Sequence, residues 1–388
     1  MKILLVNHGT AGEWGGGDGV QIQETAKRLI QRGHHVDQVN ADQPDVSMFD
    51  LVHIFNCRVA ESFCQQMSSC LEAGVPVVVS PIWISIGRAL WGSRASTGIL
   101  KQAVESGTNS VEGLLAQLKE RRLVVELSDG ELIEAHGHQL ESQKSFRVVG
   151  DLLNRSSGLL PNSWLELKAI QSDLQWRGTT FEVANYGVDP RLFLDADPAR
   201  FREETGISEP FILQAGRIEP GKNQAMLCWA MREINLPIVL IGGSKHWPSY
   251  AELCKEISGD KLIIIDHLTQ PLLASAYAAA GVHVLPSWME TCGLVTLEAA
   301  LSGTPVVGST FGHELEYLKN DAWYCDPGDP GSVRDAVLAA WEEGKHGTRA
   351  CRLKNRVLSN YNWENTTSTT ECLYQRVLNG SALHHQAA

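Results

Sequence analysis

The stretch Pro286–Val307, PSWMETCGLVTLEAALSGTPVV, constrains the fold more than any other part of the chain. It follows the short apolar run Gly281–Pro286, which closes on proline and reads as a buried parallel strand. A loop from Ser287 to Cys292 comes next, then an apolar-periodic helix from Leu294 to Leu301, stopped by Ser302-Gly303. Thr304–Val307 begins another strand. Strand, loop, helix, strand predicts an open parallel sheet, whose ligands sit beyond the carboxyl ends of the strands. Two carboxylates mark this stretch, Glu290 in the loop and Glu298 inside the helix among apolar neighbours. A carboxyl at position 298 is costly to bury without a hydrogen-bond partner.

The same alternation runs through the chain. Lys2–Val6 is a first strand, the glycine-rich loop Gly12–Gly19 follows, Val20–Gln31 is a helix stopped by Gly33, and His34–Val39 is a second strand. Asp50–Phe55 and Pro76–Ser80 are further strands around a helix at Ala60–Ala73. Residues 84–123 read as irregular helix broken by glycines. Asp129-Gly130 between alternating runs predicts a hairpin insertion within 120–140. A polar, proline-bearing crossing at 190–209 precedes a second β/α series beginning with the strand Phe211–Ala215. The last helix is expected to end near Val377, with a disordered tail. At 388 residues, two domains fit better than one core, with a ligand cleft between them.

Composition narrows the class. A formal charge of -12 argues against wholesale nucleic-acid binding. Nine cysteines without a CxxC pair or metal-ligand spacing read as reduced thiols of a cytoplasmic protein. No apolar run approaches the ~20 residues that a membrane helix needs. Met1–Asn7 reads as a strand rather than a signal peptide.

Arg217 and Lys222 share one strand-to-helix loop in the second half. Arginine offers a fork and lysine a point charge to phosphate oxygens. Two exposed loop cations would look the same in sequence; their place at the carboxyl edge favours phosphate. The first loop, with Gly15, Gly16 and Gly17 before a helix, admits a close backbone approach to an anion, though it misses the dinucleotide spacing. Glu290 and Glu298 could be an acid–base pair or two acceptors for ligand hydroxyls. The N–H groups of Thr291, Cys292, Gly293 and Leu294 lie at a helix start. Cys292 reads as a small filler rather than a nucleophile. His8, His53 and His313 sit at strand ends or loops, where a satisfied structural role is the commoner fate. Trp14 and Trp83 read equally as packing or as stacking surfaces.

The motif P-S-x-x-E-x-x-G-L-x-x-L-E-A-x-x-x-G-x-P-V-V resembles the E-x7-E signature of the GT-B retaining glycosyltransferases of family four, the group 1 glycosyl transferases. Gly15-Gly16-Gly17, Arg32-Gly33-His34-His35-Val36, Asp50-Leu-Val-His53, Gly74-Val-Pro-Val-Val78, Pro161-Asn-Ser163, Asn185-Tyr-Gly-Val-Asp189, Gly216-Arg217 with Lys222, Gly242-Gly243 and Tyr361-Asn-Trp-Glu364 extend the resemblance over nearly the whole chain.

The resemblance implies an α/β protein with two Rossmann-like domains facing across a cleft. An acceptor domain would span 1–190, a nucleotide-sugar donor domain 191–360, a helix returning to the first domain 361–380, and a tail 381–388. It implies a UDP- or GDP-sugar donor, no cofactor and no metal, with Arg217, Lys222 and Glu290 as catalytic residues. Gly15, Gly16, Gly17, Gly216 and Gly243 would approach the donor. Glu290 with the backbone of Thr291, Cys292, Gly293 and Leu294 would hold its sugar, Glu298 its ribose, and the segment of His267 and Leu268 its base. The acceptor would be a sugar, a lipid-linked sugar or a small metabolite, with peripheral membrane contact as a further expectation. The chain departs from the family pattern in lacking a histidine after Ser80, in carrying Asn223 where glycine is usual, and in Thr291-Cys292. Two rivals remain open: a non-hydrolysing sugar-nucleotide epimerase of the same fold, and a nucleotide-sugar-binding protein with impaired catalysis.

Overall fold

A computed structural model describes residues 1–11, 16–84, 86–108, 113, 139–288 and 290–386. The expected hairpin at 120–140, apart from its last two residues, lies outside the described residues, as do Trp14 and Gly15. The chain divides into two compact units, Met1–Ser85 with Gly137–Gly187 and Asn360–Ala388, and Ile86–His136 with Val188–Ser359.

The first unit opens with β1 (Lys2–Asn7), α1 (Gly17–Gln31), β2 (His35–Asn40), β3 (Leu51–Phe55), α2 (Ala60–Ala73) and β4 (Val77–Ser80). The next helix, α3 (Ile86–Glu105), belongs to the other unit; α4 (Gln139–Leu153), β5 (Gly158–Leu159) and α5 (Trp164–Asp173) resume the first. Its five strands lie in the order β2-β1-β3-β4-β5, all parallel. Strands β3 and β4 are buried along their whole length, as continuous Val/Ile/Leu runs in a two-faced parallel sheet should be. Phe181–Ala184 contributes an isolated parallel bridge, from Phe181 to Leu159.

The second unit builds β6 (Ile212–Ala215), α6 (Gln224–Met231), β7 (Ile238–Ile241), α7 (Pro248–Ser258), β8 (Leu262–Ile265), α8 (Gln270–Ala279), β9 (Val282–Val284), α9 (Leu294–Leu301), β10 (Val306–Ser309), α10 (Glu314–Leu318), β11 (Trp323–Cys325), α11 (Pro330–Glu343) and α12 (Thr348–Asn360). The parallel sheet has the order β11-β10-β9-β6-β7-β8. Because β6 pairs with β9, the loop carrying Lys222 and the loop carrying Glu290 leave adjacent strands at the same edge. Helix α9 has the bounds expected from the sequence, set by Gly293 before it and Ser302-Gly303 after it.

Helix α3 corrects two expectations. It is one regular helix rather than a glycine-broken stretch, and it packs in the second unit rather than the first half. Ile99, Leu100 and Ala103 are buried there beside Ala225, Leu227 and Trp229 of α6. Gly92 does not break the helix; it lets the Trp288 ring lie against it, since a Cβ at that position would stand 2.2 Å from the ring.

The final helix, α13 (Trp363–Gln386), packs in the first unit, as expected of a returning helix. Leu373, Tyr374 and Val377 join Ile3, Leu5, Leu51 and Val78 in its core. Glu371 accepts from Arg32 Nη1 at 2.7 Å and pairs with His34 Nε2 at 2.8 Å. The Tyr374 hydroxyl lies 2.6 Å from His53 Nδ1, and Ser80 Oγ 2.9 Å from His53 Nε2. Burial lowers the His53 pKa to about 3, so its ring is neutral. The helix continues to Gln386, past Val377 and through the segment expected to be a disordered tail, since its Ala and Leu residues favour helix and Gly380 alone does not stop it. Among the described residues no helix is long and apolar enough to cross a membrane.

Candidate functional site

Strand β6 delivers a loop ending in a short 3-10 turn, Pro220–Lys222. Lys222 is anchored by its backbone, with its N–H on Glu219 O at 3.0 Å and its carbonyl accepting from Gln214 Nε2 at 2.7 Å. Arg217 lies half-exposed at the start of the loop, 3.2 Å from Glu219 Oε1. Gly216 and Gly243 belong to the same edge: Gly216 N–H donates to Ile241 O at 2.9 Å, and Ile218 N–H to Gly243 O at 3.0 Å.

The loop after β9 brings Glu290 to that turn. Lys222 Nζ lies 2.5 Å from Glu290 Oε2, in a pair only 19% and 10% exposed. The other carboxylate oxygen accepts from Gly293 N at 3.1 Å, and the Glu290 carbonyl from His313 N at 3.0 Å. Gly293 has φ +68 and precedes α9, so Glu290 occupies one of the unpaired N–H groups of a helix start. A cation, a carboxylate and a helix N-terminus thus meet at one point. Such a set can hold phosphate oxygens and sugar hydroxyls at once.

Glu298 lies on α9, partly buried, with Oε2 accepting from the Tyr277 hydroxyl at 3.0 Å. Burial raises its pKa to about 7, against the pull of the Tyr277 hydrogen bond. The partner that a buried carboxyl at 298 required is therefore Tyr277 on α8.

Sequence reasoning missed Glu314. Its side chain is fully buried, Oε1 accepts from Ser309 N at 2.7 Å, and Oε2 lies 3.5 Å from Thr296 Oγ1. A Cβ on Gly293 or on Gly308 would stand 2.8 Å from a Glu314 oxygen, so glycines make the room for this carboxyl. Burial, and then the charge of Glu290, raise its pKa to about 8. The only sequence signal was an acid framed by Gly308 and Gly312, indistinguishable from a surface residue at a helix start.

The remaining candidates separate. Thr291 and Leu294 are half-buried beside Glu290, and Cys292 is buried. His267 is exposed and Leu268 half-buried beyond β8. His313 is largely buried, with its pKa lowered by burial to about 4. Gly16 and Gly17, at the start of α1, lie in the first unit. There His8 Nδ1 is 3.1 Å from Thr10 Oγ1, and Trp83 is buried with its indole N–H on Asp173 Oδ2 at 2.9 Å. Trp83 is therefore a packing residue rather than a stacking surface. No group of three or more His, Cys, Asp or Glu side chains that could hold a metal occurs among the described residues.

Residues 209–343 match the sequence model of the family described as Glycosyl transferases group 1. The D-inositol 3-phosphate glycosyltransferase of Kribbella flavida is 35% identical over 185 residues, 43% of this chain and 44% of that protein. The chain spans about half the length of the curated relatives it matches. Sucrose-phosphate synthase from Thermosynechococcus elongatus superposes with a TM-score of 0.71 at 16% identity, over 98% of this chain and 100% of that one. HepE of Anabaena, solved in complex with UDP-glucose, gives 0.70 at 18% identity over 97% and 100%. Residues 209–343, within the second unit, thus resemble the group 1 glycosyl transferases, and the chain has the GT-B fold of these solved structures.

Proposed function

We propose that the protein is a retaining glycosyltransferase, moving a hexose-type sugar from a UDP- or GDP-sugar to a hydroxyl of a sugar, lipid-linked or small-metabolite acceptor. The observation that carries this is the Lys222–Glu290 pair at the N-terminus of α9. The named ligands of HepE, UDP and UDP-glucose, favour the uridine donor, and the name of the Kribbella relative makes a phosphorylated cyclitol one acceptor worth testing.

In this reading Lys222 and Arg217 hold the diphosphate and neutralise the charge that grows as the anomeric carbon–oxygen bond breaks. The α9 amides and Glu290 hold the sugar hydroxyls, and Glu298 those of the ribose. The acceptor oxygen bonds to the anomeric carbon on the face the diphosphate leaves, and the acceptor proton passes to the departing phosphate oxygen. Cation stabilisation by the two side chains takes the part that a metal plays elsewhere, so the reaction needs no added divalent ion.

Product analysis tests the proposal. Nucleoside diphosphate released only when an acceptor is present, with the anomeric configuration kept, supports it. A new sugar nucleotide formed without acceptor would replace it with the epimerase reading, and tight donor binding without turnover with the binding-protein reading.

A further inference from the structure

Asn223 directly follows Lys222 and has φ +61, a left-handed conformation that glycine adopts freely and asparagine tolerates. Its backbone needs no side chain there, yet its side chain is buried and bonded at both ends. Nδ2 donates to Pro286 O at 3.0 Å and to Pro327 O at 2.9 Å, and Oδ1 accepts from Ser96 Oγ at 3.2 Å. Pro286 begins the loop that carries Glu290, Pro327 lies ahead of α11, and Ser96 comes from α3. A second seam joins the same two loops: Gly221 O accepts from Trp288 N at 2.9 Å and from Ser287 Oγ at 3.0 Å.

The Lys222–Glu290 pair thus stands on two loops stitched together below it. With both amide hydrogens and the oxygen of Asn223 engaged, neither loop can shift without breaking a buried hydrogen bond. Preset groups bind a ligand without first being ordered, which spares that cost at binding.

We propose that Asn223, held by Ser96 of α3, is a positioning residue that locks the Lys222 turn to the Glu290 loop and so presets the pair for its ligand. The ligand's identity as a nucleoside diphosphate rests on the function proposed above; the lock does not.

The test uses Asn223→Gly, which keeps the backbone conformation and removes only the side chain, with Ser96→Ala as the gentler variant. Amide hydrogen exchange on the full chain reads the lock directly. Exchange at Trp288 and Lys222 should quicken on the order of tenfold in Asn223→Gly, the worth of one or two hydrogen bonds. Calorimetric titration with UDP should show Kd rising on the order of tenfold with unchanged stoichiometry. A merely destabilised protein would instead lose active fraction and keep its Kd. Ser96→Ala should weaken binding alone and add nothing in the Asn223→Gly background. Unchanged exchange at both loops, or faster exchange with wild-type UDP affinity, overturns the inference. Faster exchange in a chain whose wild type binds neither UDP nor GDP would uphold the lock and sink the donor reading instead.

Discussion

Lys222 Nζ and Glu290 Oε2 are 2.5 Å apart although their residues are 68 positions apart in sequence. In the proposed reading, the cation meant for a diphosphate is already neutralised by the carboxylate meant for the sugar. A ligand must therefore compete for Lys222 and leave Glu290 on the Gly293 amide.

Replacing the lysine separates binding from folding. Lys222→Ala should lower kcat/KM for the nucleotide sugar by roughly a hundred- to a thousandfold, the range for losing one preorganised stabiliser of transition-state charge. The thermal midpoint should fall while the fold is kept, because the nearly buried Glu290 carboxylate loses its cation and retains only the Gly293 N–H. Steady-state kinetics beside a melting curve check both, and near-wild-type turnover would defeat the role given to Lys222.

In the proposed reading, Glu298 as a ribose ligand should make donor binding pH-dependent. Burial holds its carboxyl at about 7, so it is largely protonated in mild acid and ionised above neutrality, when it accepts hydroxyls best. UDP affinity should tighten as pH rises through about 7. Tyr277→Phe removes a hydrogen bond that favours the ionised form and should move that midpoint upward; Glu298→Gln should abolish the dependence. Titrations on both sides of neutrality decide, and a flat wild-type profile would argue against Glu298 as a ribose ligand.

Glu314 should show in stability rather than in binding. Its carboxyl holds a proton more tightly folded, at about 8, than at its ordinary 4.5. Its contribution to folding is thus fully present below 4.5 and is lost as pH climbs to about 8. Glu314→Gln keeps the shape and the acceptor for Ser309 but cannot ionise, so the variant should gain on wild type across that window. Glu314→Ala instead strands the Ser309 N–H and opens a cavity, at a cost of about 2–4 kcal/mol. Melting curves against pH distinguish the two.

In the first unit, Tyr374→Phe should cost about 1 kcal/mol of stability in a urea titration, the worth of its bond to His53, and leave UDP affinity unchanged. His53, neutral and held at about 3 when folded, should make that unit lose stability as pH falls below its ordinary 6.5.

The parts of the site legible in the sequence were those set by local pattern. Helix α9 announces itself through its apolar spacing and flanking glycines, and Lys222 and Glu290 each sit in a loop after an apolar strand. That the two loops touch depends on β6 lying beside β9, a pairing no local pattern encodes. Glu314 and Tyr277 were invisible for the same reason: an acid at a helix start and a tyrosine in an Ala-rich helix acquire meaning only from residues packed against them. The partner of α3 was equally hidden, since a helix's apolar face tells that it packs and not on which unit.

The return of α13 to the first unit carries a consequence for synthesis. Arg32 and Glu371, which clasp that helix to the C-terminal end of α1, are 339 residues apart, and the core around β1 includes Leu373 and Tyr374. On the ribosome the second unit, whose residues end at Ser359, can settle first. The strands made earliest must wait for residues made last, with Ile3, Leu5 and Leu51 covered only in part, by Ile22, Ala26 and Leu29 of α1, until α13 emerges. A nascent chain arrested between Asn360 and Leu373 would thus carry one finished unit and one open hydrophobic sheet, the state in which a chaperone or a protease would find it.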